Sequence, residues 1–482
     1  MFGKYFRLTF LFVILAEIFS YSAHLYSSFN PIVFFTIIFL TLILSLIKLE
    51  YGLYILLAEL FIGSKGYLFS LPLAGLDLSL RMGLFLIIFS VWLFNLIKDR
   101  QNYFTIRKSK FFTAYVFLAI FLLWGLIFGI VRGNSLANIF FDSNAWLYFL
   151  LILPLFDLIK EKEQIINILQ VLLACLLTLG LKTIFLFYIF SHQMIAAMLS
   201  LYYWVRESGV GEITMLNLNF YRVFFQSQIY SLIGFFILFS LFLKRIIAQQ
   251  REALRFFDLL LLCGLSLLIS FSRSFWASLL FSIIVLLLLF KFYFKEPWKK
   301  ILRISYYLIA IFLIDAFLII FFINFPQKGV AANGFGSLIR KRIAETAQEA
   351  AGRSRIDLLP PLFKIIAKHP VIGSGFGATV TYKSSDPRVL ERNREGWYTT
   401  YAFEWGYLDI WLKIGLAGLL VYFYLIWQIF KQGWKQINHP LILGMLIGLI
   451  ALLVTNFFSP YLNHPLGIGY LILCSVIFER YK

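Results

Sequence analysis

Charge is what this 482-residue chain has least of: Asp, Glu, Lys and Arg make up 14% of it, against 61% hydrophobic residues. A water-soluble domain carries roughly a quarter charged and about half apolar residues, so the excess apolar surface here has to face lipid. The three cysteines, Cys175, Cys263 and Cys474, lie far apart within apolar runs. Their placement excludes a disulfide framework and a C-x-x-C metal or redox pair. The five histidines (His24, His192, His369, His439 and His464) lack the H-x-x-H or H-E-x-x-H spacing of a zinc site, so no metal and no other cofactor is expected. Internal repeats and low-complexity tracts are missing too. Lys4 and Arg7 precede an apolar run as in a signal peptide, but no small-x-small cleavage site follows, and the run reads as a first membrane helix.

What is present is a series of roughly fourteen apolar runs of about 15 to 25 residues. They predict an all-α polytopic membrane protein with about 12–14 transmembrane helices. The third run, around Leu57, is short and carries Glu59. The expected division is a membrane domain of eleven helices over residues 1–324, one large extracytoplasmic loop over 325–404, and three last helices over 405–482. The long loop is glycine-rich and basic, and loops of that length usually serve function. Helical apolar spacing over 337–350 and 354–367 predicts two short amphipathic helices in it, with Pro360 and Pro361 bending the second or starting it anew.

The formal net charge is +19. Lysine and arginine gather in alternate short loops, as at Lys98, Arg100, Arg107, Lys108 and Lys110, or Lys291, Lys295, Lys299, Lys300 and Arg303. The intervening short loops hold only Lys65, Arg81, Arg132, Arg206, Arg222 and Arg273. By the positive-inside rule both termini are cytoplasmic, and Arg222, Arg273 and the long loop face outward. The positive balance is then a topology signal with attraction to anionic membrane lipid, and not a nucleic-acid footprint.

Several outward residues are candidates for chemistry. Arg273, in ISFSRSFWAS, sits in a tight turn between two apolar runs; Arg222 ends the second-largest outer loop; Arg353 and Arg355 lie in AAGRSRIDLL. Guanidinium groups at headgroup level match phosphate oxygens two by two, although each alone also reads as a snorkelling helix end. Gly373, Gly375 and Gly377 form either an anion-binding nest or a plain turn. Trp397, Tyr398, Tyr401, Trp405, Tyr407 and Trp411 read as an interfacial aromatic belt or as rings that stack on sugars. Glu404, where the loop re-enters the membrane, has the placement of a general base and no obvious partner, whereas Asp409 and Lys413 are spaced to pair on one helix. Glu17, Glu59, Lys182 and Asp315 fall inside apolar runs, where pairing within the bundle is favoured over a proton relay.

Taken in order, YRVFF, SFSRSFWAS, the run ending HPVIGSGFG and the helix with IGLAG resemble the O-antigen ligase and polymerase family over about Asn217 to Leu420. The resemblance implies a GT-C-like helical bundle in the bacterial inner membrane, with a metal-independent, inverting glycosyltransferase site on the periplasmic face. Such proteins build lipopolysaccharide or other cell-surface polysaccharide. The implied donor is a glycan on undecaprenyl diphosphate, and the implied acceptor a glycan or lipid. Arg222 and Arg273 match the family arginines that hold the diphosphate; Arg353, Arg355, Gly375, Trp397 and Tyr401 are expected as substrate-binding residues from their own chemistry and placement. Ligases place a histidine about eleven residues before the glycine at 415; here that position is Glu404, which is also able to accept a hydroxyl proton and is ionised at neutral pH. The substitution leaves ligase and polymerase both open. A flippase of lipid-linked oligosaccharide would have a similar helix count, but transporters generally show internal repeats and midplane charge.

Overall fold

In hydrocarbon a backbone has to satisfy its own hydrogen bonds, and a helix does so within one segment. The apolar runs accordingly fold as helices in a computed structural model that describes residues 1–73, 76–99, 102–217, 220–249, 252–326 and 350–481. The first half comprises α1 (Lys4–Leu25), α2 (Phe29–Ile47), α3 (Leu49–Ile62), β1 (Ser70–Leu73), β2 (Leu76–Ser79), α4 (Leu80–Lys98), α5 (Phe112–Val131), α6 (Leu136–Ser143), α7 (Ile152–Leu158) and α8 (Lys162–Ser191). There follow α9 (Ile195–Glu207), β3 (Gly211–Asn217), β4 (Phe220–Phe225), α10 (Ile229–Ile247), α11 (Ala253–Ile269), α12 (Arg273–Leu288) and α13 (Trp298–Asn324). The last part holds α14 (Ala350–Asp357), α15 (Leu359–Ile366), β5 (Val380–Lys383), α16 (Pro387–Arg392), β6 (Trp397–Thr400), α17 (Gly406–Trp434), α18 (Pro440–Thr455) and α19 (Pro465–Arg480).

Among the described residues ten helices are long and apolar enough to cross a membrane, counting the α6–α7 pass as one. The chain is a multi-pass, all-α membrane protein. Four shorter helices, α3, α11, α18 and α19, occupy the other apolar runs. A 16-residue helix rises only about 24 Å, less than a hydrocarbon core of about 30 Å. Protein fills the difference for α19, which is buried on every side from Leu466 to Phe478. Lipid-facing helices show the opposite pattern. On α13, Trp298, Leu302, Tyr306, Ile309 and Leu313 form an exposed apolar stripe, while Ile301, Ile304, Leu308, Ile311 and Ile319 are buried. α10 is the most buried of the ten and packs against α11 and α18.

Three of the four charged groups inside apolar runs, Glu17, Glu59 and Lys182, are paired. Arg81 holds Glu59 through two hydrogen bonds of 2.8 and 3.1 Å, and Lys182 Nζ is 2.7 Å from Glu17. Asp315 departs from the expectation of bundle-internal pairing. It is fully buried and neither carboxyl oxygen has a hydrogen-bond partner; Gly264 of α11 makes room for it.

Three antiparallel hairpins, β1–β2, β3–β4 and β5–β6, were not legible as strands in the sequence. In the long loop Pro360 and Pro361 start α15 afresh rather than bending one helix. The expected helix over 337–350 lies, but for its last residue, outside the described residues. Loop contacts divide the bundle into two ends. At one end Ser20 Oγ bonds Leu68 O and Asn134 bonds Phe376 O; at the other Asp157 binds Thr105 and Glu479 binds Ser109.

Candidate functional site

The ISFSRSFWAS turn is tight because its serines bond its own backbone. α11 stops at Ile269 and α12 begins at Arg273, so only three residues join them. Ser270 Oγ donates to Leu267 O at 2.6 Å and accepts from Ser272 N at 3.2 Å, while Phe271 takes a left-handed φ of 46°. Ser272 is the residue before the helix, and its hydroxyl lies 3.1 Å from that of Ser274. The turn thereby fixes half-buried Arg273 at the first position of α12, where the helix dipole favours an anion.

Arg222 comes to the same turn from strand β4. Its Nε donates to Ser270 O at 2.8 Å, and its guanidinium carbon lies 4.6 Å from the Phe224 ring. The hairpin is held from below: Phe225 N donates to Gln228 Oε1 at 3.0 Å, and Phe220 packs on Phe271 at 4.9 Å between ring centres. Two arginines separated by fifty residues in sequence thus share one three-residue turn.

Glu404 is not unpartnered. It forms an ion pair with Arg355 of α14, whose carbonyl accepts from Trp405 Nε1 at 2.9 Å. The carboxylate is half exposed, with 53% of the side chain accessible. Arg353 is exposed. Trp397 and Tyr398 project from β6 and are exposed, and Tyr401 is half-buried just beyond it. Burial raises the Tyr401 hydroxyl pKa, with the nearby Asp142 carboxylate adding to the shift.

The loop between α18 and α19, residues 456–464, joins these two clusters. Ser459 Oγ lies 3.5 Å from Ser274 Oγ, Phe458 packs on Trp405 at 6.2 Å, and Tyr461 donates to Gln226 O at 3.1 Å. Asn463 donates to Asp409. Sequence reasoning passed over this loop, although NFFSPYLNHP carries the turn residues that mark a structured connection.

The glycine run has a different role from the anion nest considered for Gly375. Helix α17 is broken at Gly415 (φ 75°, ψ 173°), and the 370–377 segment lies in the break. Leu412 O accepts from Ser374 N at 2.6 Å and Lys413 O from Gly375 N at 3.1 Å; beyond the break, Leu416 N donates to Pro370 O and Ala417 N to Val371 O. Phe376 N and Gly377 N donate to Gly125 O and to Asp142. The amides from 374 to 377 are therefore committed to protein acceptors. Non-helical backbone at such a depth is stable only when enclosed by protein in this way.

Beside the break a buried lysine, Lys413, sits between Asp142 of α6 and Asp409, the latter 2.6 Å away. The expected Asp409–Lys413 pair is present, and Asp142 joins it from a helix the sequence did not connect to it.

Residues 259–423 match the family model described as O-antigen ligase. Over that segment the chain is similar to the O-antigen ligase family. The match covers about a third of the chain and includes Arg273, Arg353, Arg355, Gly375, Trp397, Tyr401 and Glu404. Arg222 lies upstream of it and enters the ligase-related segment through its bond to Ser270. No curated protein matches the chain. The ligase match supports a role in O-antigen or related polysaccharide synthesis, as a glycosyltransferase-like enzyme acting with a lipid-linked glycan and an acceptor.

Proposed function

We propose that the protein transfers a glycan from undecaprenyl diphosphate to a lipid-linked or surface acceptor at the periplasmic face of the bacterial inner membrane, with both termini in the cytoplasm. The observation that carries this reading is the Arg222–Ser270 bond, which sets two guanidinium-bearing residues at one helix-opening turn. Arg222 and Arg273 hold the diphosphate and neutralise the charge that grows on it as the bond from the sugar's anomeric carbon to phosphate oxygen breaks. An acceptor hydroxyl attacks the same carbon from the opposite side, which inverts it, and Glu404 takes the hydroxyl proton. The Arg355 ion pair orients that carboxylate, while Arg353, Trp397 and Tyr401 line the approach for the glycan. The sugar–diphosphate linkage supplies the driving force, so neither ATP nor a metal enters the scheme.

The test is product formation by the purified protein in vesicles holding a lipid-linked donor and an acceptor, without ATP or added metal. New glycosidic product is expected. Movement of the donor between leaflets with no product would replace this reading with lipid-linked oligosaccharide transport.

A further inference from the structure

At the end of the bundle away from Arg222 and Arg273, helices α12 and α13 part. α12 packs on α18 and α13 on α11, and the two come together chiefly where residues 289–293 widen into a π-turn. Behind the gap lies α10, with Phe235 stacked 5.4 Å from Phe312 of α13 and Phe242 edge-to-face 5.8 Å from Tyr307. The gap ends in a cleft of about 580 Å³, a volume typical of small-ligand sites.

The lining of this cleft is basic on one side and apolar on the other. Lys244 comes from α10, Lys300 and Arg303 from α13, and His439 from the start of α18; Phe290 and Phe294 form the apolar wall. Lys300 is bonded to Glu296 at 2.5 Å, whereas Lys244 and Arg303 make no ion pair among the described residues. Burial, followed by Lys244 and Lys162, lowers the His439 pKa, so the imidazole adds no compensating or further charge near neutrality. Two positive charges consequently remain over an apolar wall.

We propose that this cleft binds the phosphodiester headgroup of an anionic glycerophospholipid, with Lys244 and Arg303 on the phosphate and the acyl chains against the neighbouring helices. A lipid is favoured over a soluble phosphate because both helices that lead to the cleft expose apolar side chains, Phe281, Ile284 and Leu288 on α12 and Tyr306, Ile309 and Leu313 on α13. A basic recess between helix ends suits a headgroup that arrives already anchored in the bilayer.

Native mass spectrometry of the full chain released from detergent tests this, with phosphatidylglycerol and phosphatidylcholine offered at equal concentration. The wild-type protein should retain one phosphatidylglycerol in preference to phosphatidylcholine. The double variant Lys244→Gln/Arg303→Gln should lose that preference about tenfold or more, while Lys299→Gln, an exposed neighbour outside the lining, should keep it. Both altered residues are exposed, so folding is retained, and the conservative Lys244→Arg should preserve binding. Equal retention of phosphatidylglycerol by wild type and double variant would overturn the site. Displacement of the lipid by glycerol 3-phosphate at matched concentration would overturn its assignment to a lipid.

Discussion

Arg222 Nε lies 2.8 Å from the Ser270 carbonyl, so the arginine inside strand β4 and the one that opens α12 belong to a single structural unit. The turn is held by its own serines, the hairpin by Gln228, and the 456–464 loop carries contacts from that unit to Trp405, next to Glu404, and to the start of α17.

Glu404 is paired with Arg355, and the functional consequence of each differs. If Glu404 takes the acceptor proton, Glu404→Gln should reduce transfer at least a hundredfold while donor binding persists. Arg355→Gln should weaken transfer less. A half-exposed ion pair contributes at most about 1 kcal/mol, so neither change should move the thermal midpoint by more than a few degrees. Steady-state transfer kinetics beside a melting curve separate the two effects.

Lys413 should be a stability residue. It is buried between Asp142 and Asp409, and removing its charge leaves two carboxylates without compensation. Lys413→Met is expected to cost roughly 3–5 kcal/mol, and adding Asp142→Asn should restore part of the loss. Thermal unfolding in detergent measures both.

Gly415 sits at φ 75°, and a Cβ there would stand 2.1 Å from Val371 O. Gly415→Ala should therefore disturb the junction of α17 with the 370–377 segment, at a cost above about 1–3 kcal/mol from backbone strain alone. Lower yield of folded protein and a proteolytic cut within 370–377 are the expected signs.

His464 caps α19, and burial with Arg81 and Lys65 nearby pushes its pKa down to about 3. The unfolded chain binds this proton near pH 6.5, whereas the folded one refuses it until about pH 3. Stability attributable to His464 is thus complete above pH 6.5 and lost progressively as pH falls toward 3. His464→Gln should flatten that part of the stability profile, as read from unfolding at stepped pH.

The membrane helices were legible because lipid imposes one rule on every span, and each apolar run read from the sequence is a helix. The paired arginines were legible as motifs, but their convergence was not, since it depends on a six-residue strand whose alternation disappears in so apolar a chain. Glu404 looked isolated because Arg355 lies 49 positions upstream, beyond any helical spacing. Gly375 suggested an anion nest because its flanking glycines allow one. Only the broken α17 shows where their amides go. Asp142 carried no signal, as an acid in a short polar stretch reads as a solvated loop end.

The central claim is that forked guanidinium groups at the Ser270–Ser272 turn bind the donor diphosphate. It is tested most directly by the rate of glycan transfer by Arg273→Lys in vesicles, compared with wild type at equal protein. Lysine keeps the charge and the membrane insertion but loses the two-pronged geometry, so kcat/KM should fall about a hundredfold or more. Transfer at the wild-type rate would contradict the account.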